Sequence, residues 1–158
     1  MNQGLEKIMQ VTALPFRLSS EALNAQLEQF NARQEIQWFG LRGAFHQPGE
    51  ALVYFNDSRA GILGGGGTDA VNGGVIAAGF DGAFVLAGLG HYETNVVVTI
   101  ELSVKFLDLA RNPHSLSWCA HVVRTSKRFA FAEAMLIDRA NPEARPVAIA
   151  SAMVAPAV

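Results

Sequence analysis

The chain has 158 residues, half of them hydrophobic and 16% charged, with 12 basic against 14 acidic side chains and a formal net charge of -2. That balance suits a globular chain long enough to bury a core, and it gives no electrostatic case for nucleic acid or an anionic membrane surface as a partner. The single cysteine, Cys119, excludes an internal disulfide and fits a reducing compartment, so a cytoplasmic location is expected.

The chain reads as one domain over residues 1–158, with residues 1–39 as a helical extension. No early segment combines a charged start, an apolar middle and a small-residue cleavage site, so a secretory leader is not expected. Leu5, Ile8, Met9 and Val11 are loosely spaced and predict a helical turn that Pro15 ends. Ser19 or Ser20 can cap a helix with Glu21 in its first turn, and Leu23, Leu27 and Phe30, continuing to Ile36 and Trp38, form an apolar stripe. This helix is expected on the sheet edge or over the mouth of a site, its aromatics serving as core.

After Gly40 the pattern changes to strand. Ala51 to Phe55 is short, apolar and β-prone, and it comes directly after the turn Gln47-Pro48-Gly49-Glu50. His46, just before that turn, reads as a surface residue. Asn56 to Arg59 closes the strand. Gly64, Gly65, Gly66 and Gly67 predict a flexible approach to the apolar segment beyond them; they lack the Gly-Lys-Ser/Thr ending of a phosphate-cradling loop and the preceding strand of a dinucleotide fingerprint.

Val71 to Leu89 is a nearly unbroken apolar run interrupted by one charge, Asp81. A helix apolar on every side belongs inside a fold, so this is predicted to be the central helix. It approaches bilayer-spanning length, but its glycines, the mid-run acid and the amphipathic strands after it favour a buried helix. Asn72 can cap its start, leaving the Gly73 and Gly74 N–H groups unscreened at the positive end of the helix dipole, an arrangement suited to a carbonyl oxygen that becomes an oxyanion. An isolated acid usually caps, pairs with a basic group or faces a wet crevice. Beside an oxyanion donor, however, Asp81 points to acyl transfer. Gly73 and Asp81 lie about 12 Å apart along a helix. One small carbonyl cannot reach both, so joint action requires a second copy of the helix and a dimer with two symmetric sites.

His91 to Asn95 connects to a strand in which Val98, Ile100, Leu102, Val104 and Phe106 alternate with Thr99, Glu101, Ser103 and Lys105, predicting one core face and one polar face. Leu116–Thr125, Arg128–Asp138 and Pro146–Ala155 come next as strands. The order describes an α+β fold, an antiparallel sheet curled around a helix. Arg124, Lys127 and Arg128 cluster near a predicted turn, where solvated surface residues and an anion contact are equally good readings. Cys119 and His121 share a strand face, but nothing marks the thiol for activation. The four histidines have no metal-ligand spacing, so no metal is expected.

These residues resemble the hotdog-fold acyl-CoA thioesterases, in particular the PaaI-like branch associated with phenylacetic acid degradation. Asn72-Gly73-Gly74 stands where that branch has His-Gly-Gly, Asp81 falls on its catalytic carboxylate nine positions later, and Thr99 on the hydroxyl residue that helps hold the attacking water. The resemblance runs from about Gly40 to Ala155. It implies hydrolysis of a thioester to a free acid and coenzyme A, with coenzyme A present only as part of the substrate and no separate cofactor. It implies homodimers with sites at the subunit interface, which can pair further into tetramers. Asp81 would be nucleophile or general base, Gly73 the oxyanion donor, Gly74 and Gly66 substrate-binding positions, and Arg124, Lys127 and Arg128 contacts for the coenzyme A phosphates. Two positions depart from the pattern: Gly66 replaces an Asn and Asn72 replaces the His, with Thr68 or Asp69 as candidate substitutes. Two other classes remain open, a hotdog dehydratase or hydratase and a non-catalytic acyl-CoA-binding protein or structural dimer.

Overall fold

The apolar run folds as a helix of 17 residues, Gly73–Leu89, and the strands curl around it. The computed structural model describes residues 12–157, so the turn expected from Leu5 to Val11 lies outside the described residues. In chain order the elements are α1 (Ser20–Asn31), α2 (Gln34–Trp38), β1 (Leu41–His46), β2 (Glu50–Phe55), β3 (Leu63–Gly65) and β4 (Ala70–Val71). They continue with α3 (Gly73–Leu89), β5 (Val97–Phe106), β6 (Leu116–Thr125), β7 (Ala130–Asp138) and β8 (Ala148–Pro156). Six strands form one antiparallel sheet in the order β1-β2-β6-β7-β8-β5, while β3 and β4 make a separate two-stranded ribbon leading into α3.

Register decides which side chains meet the helix. Val53, Trp118, Leu136 and Ala148 are successive cross-strand partners on the inner face, joined on the same face by Ala51, Ala120, Ala134 and Ala150. The small row lets α3 approach the sheet closely, and the large row fills the space beside it. Trp118 is fully buried, its ring packs edge-on against Phe55, and its indole N–H donates to the Ile76 carbonyl at 3.1 Å. That bond holds the indole flat on the helix. A Cβ on Gly79 would lie only 2.2 Å from the ring, which is why this turn of the helix needs a glycine.

The N-terminal helices cover one edge. Ser19 caps α1 by accepting from the Ala22 N–H. At the other end of α1, Asn31 accepts from the Gly43 N–H at 2.7 Å and donates to the Gly43 carbonyl at 3.2 Å. One amide side chain thus satisfies backbone groups of edge strand β1 that could otherwise template pairing with another chain.

Several expectations need correction. The apolar stripe is not one helix: α1 ends at Asn31, α2 is a separate short turn, and Trp38 is 73% exposed. Leu41–His46 is a strand that the pattern does not mark, since Gly43 interrupts it where Phe30 and Leu86 pack closest. The glycine approach is an ordered ribbon rather than a loose loop, with Thr68 Oγ1 donating to the Gly65 carbonyl at 2.6 Å. In β5 the alternation breaks at a bulge between Thr99 and Glu101. Thr99 and, beyond the bulge, Leu102 and Val104 pair with inward residues of β8, whereas Val98 and Ile100 are exposed, Ile100 by 51%.

Gly79→Ala tests the close approach. Its gain in helix propensity is about 1 kcal/mol, but the clash with a fully packed indole should outweigh it and leave a net loss of roughly 1–3 kcal/mol, read as a lower denaturation midpoint.

Candidate active site

The start of α3 is held by backbone bonds from two directions. The Val71 N–H donates to the Ala110 carbonyl at 2.8 Å and the Asn72 N–H to the Ile62 carbonyl at 2.7 Å. Asn72 is the N-cap, and its Oδ1 accepts from the Gly74 N–H at 2.8 Å. The expectation of two free donors is therefore corrected to one: Gly74 is engaged by the cap, while the Gly73 N–H has no partner among the described residues. The Phe106 ring lies 3.5 Å from where a Gly73 Cβ would stand, so an aromatic edge flanks this donor. Sequence reading missed Phe106 in this role, because its place in the alternation marked it only as core.

Asp81 does not lie inside the core. The helix buries most of its circumference, but Asn72, Gly74 and Asp81 are exposed and Ala77 and Ala78 half-buried, giving one open stripe. Apolar composition predicted burial on all sides, yet this stripe is made of residues too small to demand it. Asp81 faces a cavity of about 150 Å³ whose other walls include Phe30, Arg33, Ile36 and Phe39 from the α1–α2 region and Val85 from α3. Arg33 reaches across by donating to the Asn95 carbonyl at 3.0 Å, fixing the α1–α2 junction against the segment after α3. Arg33 and Phe39 carry no motif that would have flagged them, since more than forty residues separate them from Asp81.

Thr99 sits on the inner face opposite Val154, and its Oγ1 is buried without a hydrogen-bond partner. A buried hydroxyl in that state has capacity to hold a water or a substrate atom. Gly66 occupies the ribbon turn with φ +61°, a left-handed conformation that a Cβ would strain although space around it is open. Neither candidate substitute is free: Thr68 Oγ1 is used within the turn, also accepting from the Ala70 N–H, and Asp69 pairs at the surface with Arg111 at 3.3 Å.

Arg124, Lys127 and Arg128 are exposed around the β6–β7 turn. The Tyr92 hydroxyl donates to the Ser126 carbonyl at 2.9 Å and lies 3.0 Å from the Thr125 hydroxyl, anchoring that turn just past the C-terminal end of α3. Within one chain the basic cluster and Gly73 therefore stand at opposite ends of a helix about 25 Å long.

Two other titratable groups are set aside by their surroundings. Burial, aided by the nearby Arg17 charge, lowers the His91 pKa to about 4, and both ring nitrogens lack partners beside the Phe16 ring. The Cys119 thiol is pushed up to about 12, chiefly by burial and next by Glu50, so it stays protonated and is a poor nucleophile. Among the described residues no group of three or more His, Cys, Asp or Glu could hold a metal ion, and no helix is long and apolar enough to cross a membrane.

A sequence model of the thioesterase superfamily matches residues 69–144, a span that contains Asn72, Gly73, Asp81, Thr99 and the basic turn. Among solved structures, a thioesterase family protein from Silicibacter pomeroyi aligns at TM-score 0.73 and 21% identity over 86% of this chain and 98% of its own. The E. coli PaaI protein from the phenylacetic acid degradation operon aligns at TM-score 0.73 and 16% identity, covering 88% of this chain and 96% of its own. A mutant of the phenylacetic acid degradation protein PaaI from Thermus thermophilus aligns at TM-score 0.62 and 24% identity over 77% of this chain and 97% of its own. No curated protein matches the sequence. The antiparallel sheet wrapped around α3, with its added N-terminal helices, is the hotdog fold, and the likeness to the PaaI structures is a likeness of fold.

His91 makes stability depend on pH in a defined direction. The unfolded chain takes up a proton on this imidazole near pH 6.5, whereas the folded chain resists protonation until about pH 4. Stability should fall on acidification through that window, by up to about 3 kcal/mol, and level off below it. Urea titrations from pH 7.5 to 4.5 should show the slope, and His91→Leu should flatten it. Separately, Asn72→Ala should cost about 1 kcal/mol through loss of the cap.

Proposed function

From a chain with the hotdog fold and a thioesterase-superfamily match across its central helix, we propose an acyl-CoA thioesterase that works as a cytoplasmic homodimer. The observation that carries this reading is the open stripe of α3, which presents an unpartnered Gly73 N–H at the helix start and the Asp81 carboxylate two turns on, beside an apolar cavity. Eight helical positions separate the two groups, so one thioester meets Gly73 of one copy and Asp81 of a second.

The free edge of the sheet suits such a pairing. Among the described residues no strand lies outside β5, and Val98, Ile100, Phe106 and Leu107 on and just after it are exposed hydrophobics. Two chains joined antiparallel along β5 would run their α3 helices in opposite directions. Each basic turn would then approach the other copy's Gly73, where Arg124, Lys127 and Arg128 could pair with the phosphates of coenzyme A. Within one chain the same groups lie apart.

In the chemistry, the Gly73 N–H polarises the thioester carbonyl and then stabilises the oxyanion at the positive end of α3. The Thr99 hydroxyl, buried without a partner, holds the attacking water, and Asp81 takes its proton as the water oxygen bonds to the carbonyl carbon. Collapse of the tetrahedral intermediate breaks the carbon–sulfur bond, the proton held by Asp81 passes to the departing sulfur, and coenzyme A and the free acid leave with the carboxylate restored. Asp81 is given the base role rather than the nucleophile role because Thr99 offers a site for water. The substrate brings coenzyme A itself, and the proposed steps use no separate cofactor or metal.

Thiol release from a panel of aliphatic and aromatic acyl-CoAs tests the assignment. Asp81→Asn should lower kcat by at least about 100-fold while leaving assembly mass and thermal midpoint unchanged. Full activity in that variant removes Asp81 from the mechanism. Binding of the acyl-CoAs by both proteins with hydrolysis by neither would instead make this a binding protein, with Gly66 and Asn72 in place of the family's Asn and His as the cause.

A further inference from the structure

The cavity beside Asp81 is closed on one side by a part of the chain that lies before the matched residues 69–144. Phe30 and Ile36, both almost fully buried, come from α1 and α2, and Phe39 completes this wall; the opposite wall is α3, through Gly82 and Val85. The charged members of its lining are Asp81, Arg33 and Glu35, and the Arg33 guanidinium lies 5.7 Å over the Phe30 ring. The cavity's apolar lining, Phe30, Ile36, Phe39, Leu41 and Val85, offers a place for the acyl tail of a thioester whose carbonyl carbon is attacked beside Asp81.

We propose that the N-terminal extension acts as a ruler for the acyl group, with Ile36 and Phe30 as the stop, restricting substrates to apolar acyl groups of about the bulk of one six-membered ring. The size is set by the cavity, about 150 Å³. An apolar cavity of that volume accommodates a benzene-sized group. A long fatty chain would have to displace the α1–α2 wall. That wall is not loosely placed: Asn31 ties α1 to Gly43 of β1, Arg33 is bonded to the Asn95 carbonyl, and Gln26 donates to the Thr94 carbonyl at 2.7 Å. Gly82 is the second part of the ruler. A Cβ at this position would lie 3.3 Å from Ile36 Cδ1 and 3.7 Å from Phe30 Cζ, so one added methyl group would narrow the end of the cavity by pressing on the flexible tip of Ile36, which would shift by a few tenths of an ångström, with no backbone clash.

The inference rests on the thioesterase reading, and its test separates the two. The probes are straight-chain acyl-CoAs of two to sixteen carbons together with benzoyl- and phenylacetyl-CoA, read both by thiol release and by calorimetric binding to Asp81→Asn. Wild type should prefer acyl groups of about four to eight carbons, with kcat/KM falling at least about tenfold for twelve carbons and beyond. Ile36→Val and Ile36→Ala should move the optimum to longer chains, and Gly82→Ala to shorter ones, with the binding preferences of the same substitutions in the Asp81→Asn background moving in step. Because Ile36→Ala removes buried volume and could fail to fold, Ile36→Val and Gly82→Ala carry the test by shifting in opposite directions. A length profile identical in all folded variants, or a wild type that favours sixteen carbons, overturns the ruler while leaving the thioesterase reading intact. If no acyl-CoA is hydrolysed, the binding profiles alone still decide it by the same shifts.

Discussion

The fold depends on how closely α3 can lie on the sheet. Trp118 donates its indole N–H to the Ile76 carbonyl while its ring presses on Gly79, and the alanine row of β2, β6, β7 and β8 leaves room for the helix beside it. Close approach buries Phe80, Phe84, Leu86 and Leu89 completely. It also fixes the helix rotation, because Gly79 must face the indole. Once that face is set, Gly74, Ala78 and Asp81 have to come out on the open side. The position of the carboxylate is thus a consequence of core packing, and the candidate site inherits its geometry from the seat of Trp118 on Gly79.

The same constraint explains why so much of the fold was legible and where legibility stopped. Long elements with one consistent pattern, α3 and β6 to β8, declare themselves through runs of large apolar residues. Asp81 was legible as an exception within such a run, and with Asn72, Gly73 and Thr99 it carried the resemblance. Its exposure was not legible, because glycine and alanine count as apolar in any pattern while demanding little burial. The bulge at Thr99 left no trace in β5, whose alternation continues through it in sequence while its faces exchange in space. β1 escaped for the opposite reason: Gly43, required by the contact with Phe30 and Leu86, makes a real strand look interrupted.

Long-range juxtaposition was beyond reach of the pattern altogether. Phe106 beside Gly73, and Arg33, Ile36 and Phe39 beside Asp81, are products of sheet order and of the way α1 and α2 fold back along α3. No spacing rule connects residues so far apart. The stripe from Leu23 to Trp38 predicted apolar packing and missed the break at Ala32, where the chain turns to place Ile36 against Gly82 while leaving Trp38 outside.

The two departures at the helix start are best understood through what the backbone does there. With glycine at position 66 the ribbon adopts a left-handed turn, and Thr68 and Asp69 are occupied locally, so neither is left to brace α3. Orientation comes instead from the bonds of Val71 to Ala110 and of Asn72 to Ile62, with the Asn72 side chain turned inward on Gly74. A His at position 72 could extend a ring toward substrate, whereas an Asn in the cap spends its oxygen on the helix. The donor that remains is a backbone N–H. Its direction is set by the helix axis and cannot rotate away, so under the proposed mechanism the oxyanion corner keeps its geometry without the Asn and His that the resembling thioesterases carry, and what it forgoes is their polar contact with the rest of a substrate. In the proposed function recognition then falls to the apolar cavity at Asp81 and the basic β6–β7 turn.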